Sequence, residues 1–194
     1  MTRLGAIFWC LFLVLGCNKP DTSETATVEP SPITWTECSQ TIGDHPCDFT
    51  LKDQQGEDWS LYDQWGTIII LDFSTAWCHY CQVAAGDVSV IEDMYADKRV
   101  TWVTVLVEGF SGEPADHELI TAWSANFGID SPVLAGNRAL INEDPAAGWP
   151  LGGWPTFWII DRELVIRENI KGYSSSSIMT TVDSMLVTEA QEGL

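Results

Sequence analysis

The chain has 194 residues, 45% of them hydrophobic, and a formal net charge of −19 from 28 acidic residues against nine lysines and arginines. That size provides for one compact domain with a real core and is too small for two large ones. The charge argues against a nucleic-acid partner, because phosphate binding needs clustered cations, and is accounted for by a solubilising acidic surface.

Residues 1 to 17, MTRLGAIFWCLFLVLGC, hold one cation, Arg3, before an apolar stretch from Leu4 to Gly16. The stretch is short for a membrane span and has the length of a secretory h-region, so residues 1 to 16 read as an export signal. It ends in VLGC, which resembles the bacterial lipobox, where a small residue precedes a cysteine that is lipidated and becomes the mature N-terminus. The resemblance makes Cys17 the expected lipid anchor; the alternative is an ordinary signal peptide or a short uncleaved anchor. Each buried methylene of an acyl chain adds about 0.8 kcal/mol to membrane binding, so several chains on one residue hold a domain at a membrane surface. Residues 17 to 32 then form a lipidated, disordered tether, since NKPDTSETATVEPSP contains too few apolar residues for a core. The folded domain is expected over residues 33 to 194.

From Phe49, FTLKDQQGEDWSL alternates around a glycine-containing turn and predicts a β-hairpin. The β-branched run TIIILDF, residues 67 to 73, predicts a buried central strand. Gln82 to Lys98 reads as a helix with Val83, Val90, Ile91, Met94 and Tyr95 near one face. VTWVTVLV, residues 100 to 107, is a second strand, and residues 115 to 127 form a helix on the spacing of Leu119, Ile120, Trp123 and Phe127. TFWIID and LVIRENIKG are strands joined by a turn at residues 161 to 163. The last helix starts in the serine run 174 to 177, which supplies N-cap candidates, and turns Ile178, Val182, Met185 and Leu186 inward. Strand-helix-strand alternation followed by a hairpin predicts an α/β layer fold with a mixed central sheet flanked by helices and an N-terminal β-hairpin extension.

Six cysteines sort by position: Cys10 in the signal, Cys17 at its end, and Cys38, Cys47, Cys78 and Cys81 in a domain exported to where disulfides persist. Cys38 and Cys47 bracket SQTIGDHP and read as a structural disulfide stapling the N-terminal extension to the domain edge. Cys78 and Cys81 follow the central strand, with Cys78 opening a helix and Cys81 one turn in, close enough to bond. Unpaired N–H groups and the positive dipole end of a helix N-terminus stabilise an anionic sulfur, which makes Cys78 the attacking thiol and Cys81 the resolving one. No cofactor beyond a Cys78–Cys81 disulfide is expected. A four-cysteine zinc site needs a second tight CxxC that the chain lacks, and His45 and His117 have no partner at ligand spacing and read as surface residues, so no metal is expected.

LDFSTAWCHYC followed far downstream by GGWPTFWIID resembles the thioredoxin superfamily and, with the export signal and the hairpin, most resembles the TlpA/ResA-type envelope thiol-disulfide oxidoreductases. The similarity covers roughly residues 47 to 187 and implies a thioredoxin-like fold. It matches Trp77 to the tryptophan beside the disulfide, Pro155 to a cis-proline facing the CxxC, and Asp72 to the buried acid of thioredoxins. Pro155 would leave the backbone of Trp154 free to pair with an extended substrate segment. Asp72, in an apolar strand, is expected to have a raised pKa and to accept the Cys81 proton, or else to be paired with a lysine or solvated.

The chain departs from thioredoxin in having His79 and Tyr80 between the cysteines, Trp154 where a smaller residue is usual, and Gly86 where a kinking proline is frequent. His79 either stabilises the Cys78 sulfur or points into solvent. With Trp77, Trp154 and Pro155, His79 and Tyr80 make up the expected substrate-contacting set. Trp149, Trp154 and Trp158 could frame a substrate groove, with core packing the reading preferred for Trp158.

The implied partners are cysteine-containing proteins of the bacterial cell envelope, on the periplasmic side in a diderm, and a membrane thiol donor or acceptor, with the protein itself a monomer. Two rivals remain. A peroxiredoxin-like thiol peroxidase would use the PxxxTxxC pattern, which Thr75 and Cys78 fit and Leu71 breaks. A Cu(I) metallochaperone would use Cys78, Cys81 and His79, since soft thiolates favour Cu(I).

Overall fold

A computed structural model of the chain describes residues 32–192. Cys10, Cys17, the export signal and the tether up to residue 31 lie outside the described residues. In chain order the elements are β1 Thr50–Lys52, β2 Asp58–Ser60, β3 Ile68–Thr75, α1 His79–Tyr95, β4 Val100–Glu108, α2 His117–Phe127, β5 Val133–Ala135, β6 Thr156–Ile160, β7 Ile166–Lys171 and α3 Ser175–Glu192.

Strand β3 is buried along its whole length. Successive side chains of a strand point to opposite faces, so Ile69, Leu71 and Phe73 enter one apolar layer and Ile68 and Ile70 the other. β3 lies at the centre of a five-stranded sheet ordered β5-β4-β3-β6-β7. β4 runs parallel to β3, and β5 parallel to β4, whereas β6 is antiparallel to β3 and β7 to β6. Helices α1, α2 and α3 bury Val88, Ile91, Ile120, Trp123, Ile178 and Val182 against one face. The other face is covered by Trp59 and Leu61 from the N-terminal hairpin and by Trp149 from the β5–β6 connection. The architecture is the expected thioredoxin-like α/β fold with its hairpin extension, β1 pairing with β2 as a separate two-stranded sheet.

Four expectations need correction. Helix α1 begins at His79 and ends at Tyr95, and its inward residues are Cys81, Ala84, Ala85, Val88, Ile91 and Tyr95. Val83, Val90 and Met94 are exposed. The small residues Cys81, Ala84 and Ala85 let the helix start close to the sheet, and that phase puts the bulkier Val83 and Val90 outside. Strand β5 has no counterpart among the elements the sequence predicts. Its three residues are too short for a periodic signal, and they are held by pairing with Thr104–Leu106 and by Gln54, whose amide bonds Val133 N and Ser131 O at 2.8 Å each. His45 is half-buried, stacked on Trp35 with ring centroids 3.6 Å apart, and its Nδ1 lies 3.0 Å from Leu164 O. Trp149 is a core residue against Phe49, Phe73 and Trp158 and frames no groove. His117 is exposed, as expected.

Helix ends follow the local chemistry. Asp116 caps α2 by accepting from Leu119 N at 2.9 Å, and Gly128 ends it at φ 66°, a left-handed position that favours glycine. Ser174 accepts from Ser177 N at the start of α3. Cys38 and Cys47 are bonded to each other, with their Cα atoms 4.8 Å apart. Among the described residues no helix is long and apolar enough to cross a membrane.

Candidate active site

Cys78 and Cys81 are free thiols at the C-terminal end of β3. Strand β3 stops at Thr75, and the turn through Ala76 and Trp77 is held by Cys78 N on Thr75 O at 3.3 Å and by Ala76 N on Glu108 O at 2.8 Å. Cys78 is the N-cap of α1: its backbone is extended, its carbonyl accepts from Gln82 N, and its sulfur accepts from Cys81 N at 3.3 Å. A thiol at this position meets an otherwise unsatisfied helical N–H, and the next turn brings the second thiol beneath it. Cys78 retains 7% exposure and Cys81 none. The attackable sulfur is therefore the first one.

Asp72 shares the helix-facing side of β3 with Ile68 and Ile70, because side chains alternate, and this carries its carboxyl under α1. It is fully buried and accepts from Ser74 Oγ at 2.7 Å. Among the described residues no lysine neutralises it, and loss of water pushes its pKa up to about 7, with the Ser74, Trp102 and Thr104 contacts opposing the rise. Burial also pushes the Cys81 thiol up, and the negative charge of Asp72 and the Cys78 contact push it further the same way.

Of the expected substrate-contacting residues, Trp77, His79 and Tyr80 flank Cys78 in the chain. Trp77, His79 and Tyr80 are exposed, with the rings of His79 and Tyr80 5.6 Å apart. Trp154 is half-buried and Pro155 buried; the peptide bond between them is cis. Pro155 immediately precedes Thr156, which pairs with Phe73 of β3. Gly86 is exposed, with open space where a side chain would stand. Among the described residues no three histidine, cysteine or acidic side chains are grouped to hold a metal ion. With Cys38 and Cys47 bonded to each other, a four-thiolate zinc site does not form.

The sequence reading missed the second carboxylate of the site. Glu108 ends β4 opposite Thr75, is buried, and accepts from Trp77 Nε1 at 2.9 Å. Arg138, in a short 3₁₀ turn after β5, pairs with its other oxygen. The Arg138 contact, with the Trp77 N–H, holds the Glu108 carboxyl below the usual range against the cost of burial. Thirty-odd residues separate these partners along the chain, and only the strand pairing aligns them. Gln82, whose Nε2 donates to Ala76 O at 2.8 Å, ties the helix back to the turn.

Over residues 42–169 the chain matches the AhpC/TSA family. It is 27% identical over 126 residues to the thioredoxin-like protein YneN of Bacillus subtilis (strain 168), covering 65% of this chain and 69% of that protein. It is 24% identical over 131 residues to the thiol-disulfide oxidoreductase ResA of Geobacillus thermodenitrificans (strain NG80-2), covering 68% and 70%. A crystal structure of a thiol:disulfide interchange protein of the thioredoxin family from Chlorobium tepidum TLS superposes with a TM-score of 0.57 at 19% identity, over 79% of this chain and 98% of that one. The fold is thus thioredoxin-like, and since the family match spans well over half of its length, the chain belongs to the AhpC/TSA family.

Proposed function

We propose that this protein is a thiol-disulfide oxidoreductase whose redox couple is Cys78 and Cys81 in the WCxxC sequence, exported and tethered to a membrane through a lipid on Cys17. Its substrates are cysteine-containing proteins of the bacterial cell envelope, and a membrane thiol partner restores its redox state. The observation that carries this reading is the placement of the two sulfurs. One caps a helix and reaches the surface, and the other lies dry one turn below, beside a buried carboxyl.

In the reductive direction the Cys78 thiolate attacks one sulfur of a substrate disulfide, forming a mixed disulfide and releasing the other substrate sulfur as a thiolate. Asp72 then takes the proton of Cys81. The Cys81 thiolate attacks the Cys78 sulfur, closing the Cys78–Cys81 bond and releasing the second substrate sulfur. Two electrons pass from the protein dithiol to the substrate, whose thiolates take up protons. The two sulfurs carry all the electrons, and no bound cofactor enters the cycle. The oxidative direction is the reverse. Trp77, His79 and Tyr80 border the attacked substrate, and the backbone of Trp154, ahead of Pro155, offers an edge for an extended chain.

The test is the Cys78–Cys81 equilibrium of the full chain in glutathione buffers, read by trapping free thiols, with Cys81→Ala as control. A reversible two-electron couple is expected. A potential at or below about −270 mV marks a reductant fed from the membrane, and one near −120 mV a disulfide-forming oxidant. Absence of a reversible couple overturns the proposal; peroxide consumption or chelator-resistant Cu(I) binding would then assign the site to a peroxidase or a copper carrier.

A further inference from the structure

An apolar groove of about 410 Å³ opens between α1 and α2, lined by Gln82, Phe110, Leu119, Trp123 and Phe127 among others. Gln82 is the residue after Cys81, and Phe110 lies two residues beyond Glu108, the acceptor of the Trp77 indole. Phe110 is 65% exposed. Trp77, Tyr80 and Val83, on the turn and the first helical turns that carry Cys78, are also large exposed apolar side chains. Leaving such side chains in water is unfavourable, and an open apolar groove with an exposed Phe110 at it marks a contact surface.

Charge identifies what fits there. The loop joining β4 to α2 and the first turn of α2 carry Glu113, Asp116 and Glu118, close in sequence to the groove residues Phe110 and Leu119, and neither that loop nor the two helices carry a lysine or arginine. Arg99, Arg162 and Arg167 gather at the opposite pole of the sheet, around the depression that contains Trp65 and Gly66. There Gly66 N and Ile68 N lead into β3. At the site's own end Arg138 is paired with Glu108, and Lys171 lies on β7, across the sheet from β4. The groove is therefore a negative, apolar surface on an acidic protein, and its field favours a cationic partner.

Resting on the exchange chemistry proposed above, we propose that this groove docks cationic cysteine-containing polypeptides, taking one aromatic or aliphatic side chain against Phe110 while lysines or arginines nearby meet the carboxylates. The groove then selects the substrate, and Cys78 performs the exchange.

Three synthetic peptides test this, each with one cysteine held as a mixed disulfide with thionitrobenzoate: one flanked by lysines and a phenylalanine, one by lysines and a serine, one by glutamates and a phenylalanine. Release of the chromophore by the reduced full chain is followed in single turnovers. The lysine–phenylalanine peptide is expected to react about tenfold faster than the glutamate one at low salt, a ratio that shrinks at high salt. It is expected to outpace the lysine–serine peptide about fivefold. Phe110→Ser should bring it down to the lysine–serine rate, and Val187→Ser, exposed on α3, should change none of the three. Equal rates for all peptides overturn the docking proposal and leave the exchange chemistry standing. Release from none overturns both. Dimerisation that Phe110→Ser abolishes, without any peptide preference, assigns the groove to a second copy and also overturns the proposal.

Discussion

Asp72 and Cys81 are held in one dry layer beneath α1, with Ser74 between them: its hydroxyl bonds the Asp72 carboxyl at 2.7 Å and also favours the Cys81 thiolate. Each negative charge opposes the other, so the carboxylate keeps the thiol protonated until that proton is needed. Resolution of the mixed disulfide should therefore require Asp72 to be ionised. The rate of intramolecular closure is expected to rise with pH through about 7, the value to which burial moves Asp72. Asp72→Asn should lose that inflection and slow closure by roughly 10²-fold, the scale of general base catalysis. Stopped-flow closure rates across pH check this; an unchanged inflection rules Asp72 out as the base.

The same group sets a stability gradient. An aspartate with an ordinary pKa of 3.8 in the unfolded chain and about 7 in the folded one makes the unfolded state lose a proton that the folded state keeps. Stability conferred by the neutral carboxyl is thus whole below pH 4 and falls as pH rises through 7, by on the order of 4 kcal/mol. Asp72→Asn removes the gradient. Urea unfolding at pH 8 should find the variant more stable than the parent by roughly 3 kcal/mol, and at pH 4 nearly equal to it.

Of the two thiols Cys78 and Cys81, the first alone reaches solvent. Mild reduction followed by iodoacetamide should alkylate Cys78 at least about 100-fold faster than Cys81, since the resolving thiol is both dry and protonated. Mass spectrometry of timed digests reads the ratio. Comparable labelling of both would mean that α1 opens more readily than its packing indicates.

Arg138→Ala would strand the Glu108 carboxylate in a buried place, whereas Glu108→Gln removes the charge and keeps the indole acceptor. Two thirds of the Arg138 side chain is exposed, so the stability loss in Arg138→Ala should be only about 1 kcal/mol, and less in the double variant. A freer Trp77 is expected to raise KM for a protein disulfide about threefold while kcat holds, which a purely structural pair would not do.

Replacing both Cys38 and Cys47 by serine should lower stability by about 2 to 3 kcal/mol, on the loop-entropy scale for so short a ring. Exchange at Cys78 should persist, because Trp35 and Phe49, which flank the stapled segment, pack on the opposite face of the sheet from α1.

Much of this protein is legible along the chain. The β-branched run before Cys78, the helical spacing of Ile120 and Trp123, and the serine run before Ile178 announce their elements, because strand and helix periods are local properties. The three-residue spacing of Cys78 and Cys81 after a buried strand is equally local, since one helical turn brings the sulfurs together. Other relationships are nonlocal. Glu108 and Arg138 reach Trp77 only because β4 pairs with β3 and the chain after β5 returns to the same end of the sheet. The exposure of Val83 and the burial of Trp149 depend on how closely α1 approaches the sheet and on what covers the other face. Periodicity along the chain carries the fold class and puts Cys78 and Cys81 one helical turn apart after a buried strand. Which side chains meet that pair is set by strand register and helix phase, and those come from packing between segments far apart in the chain.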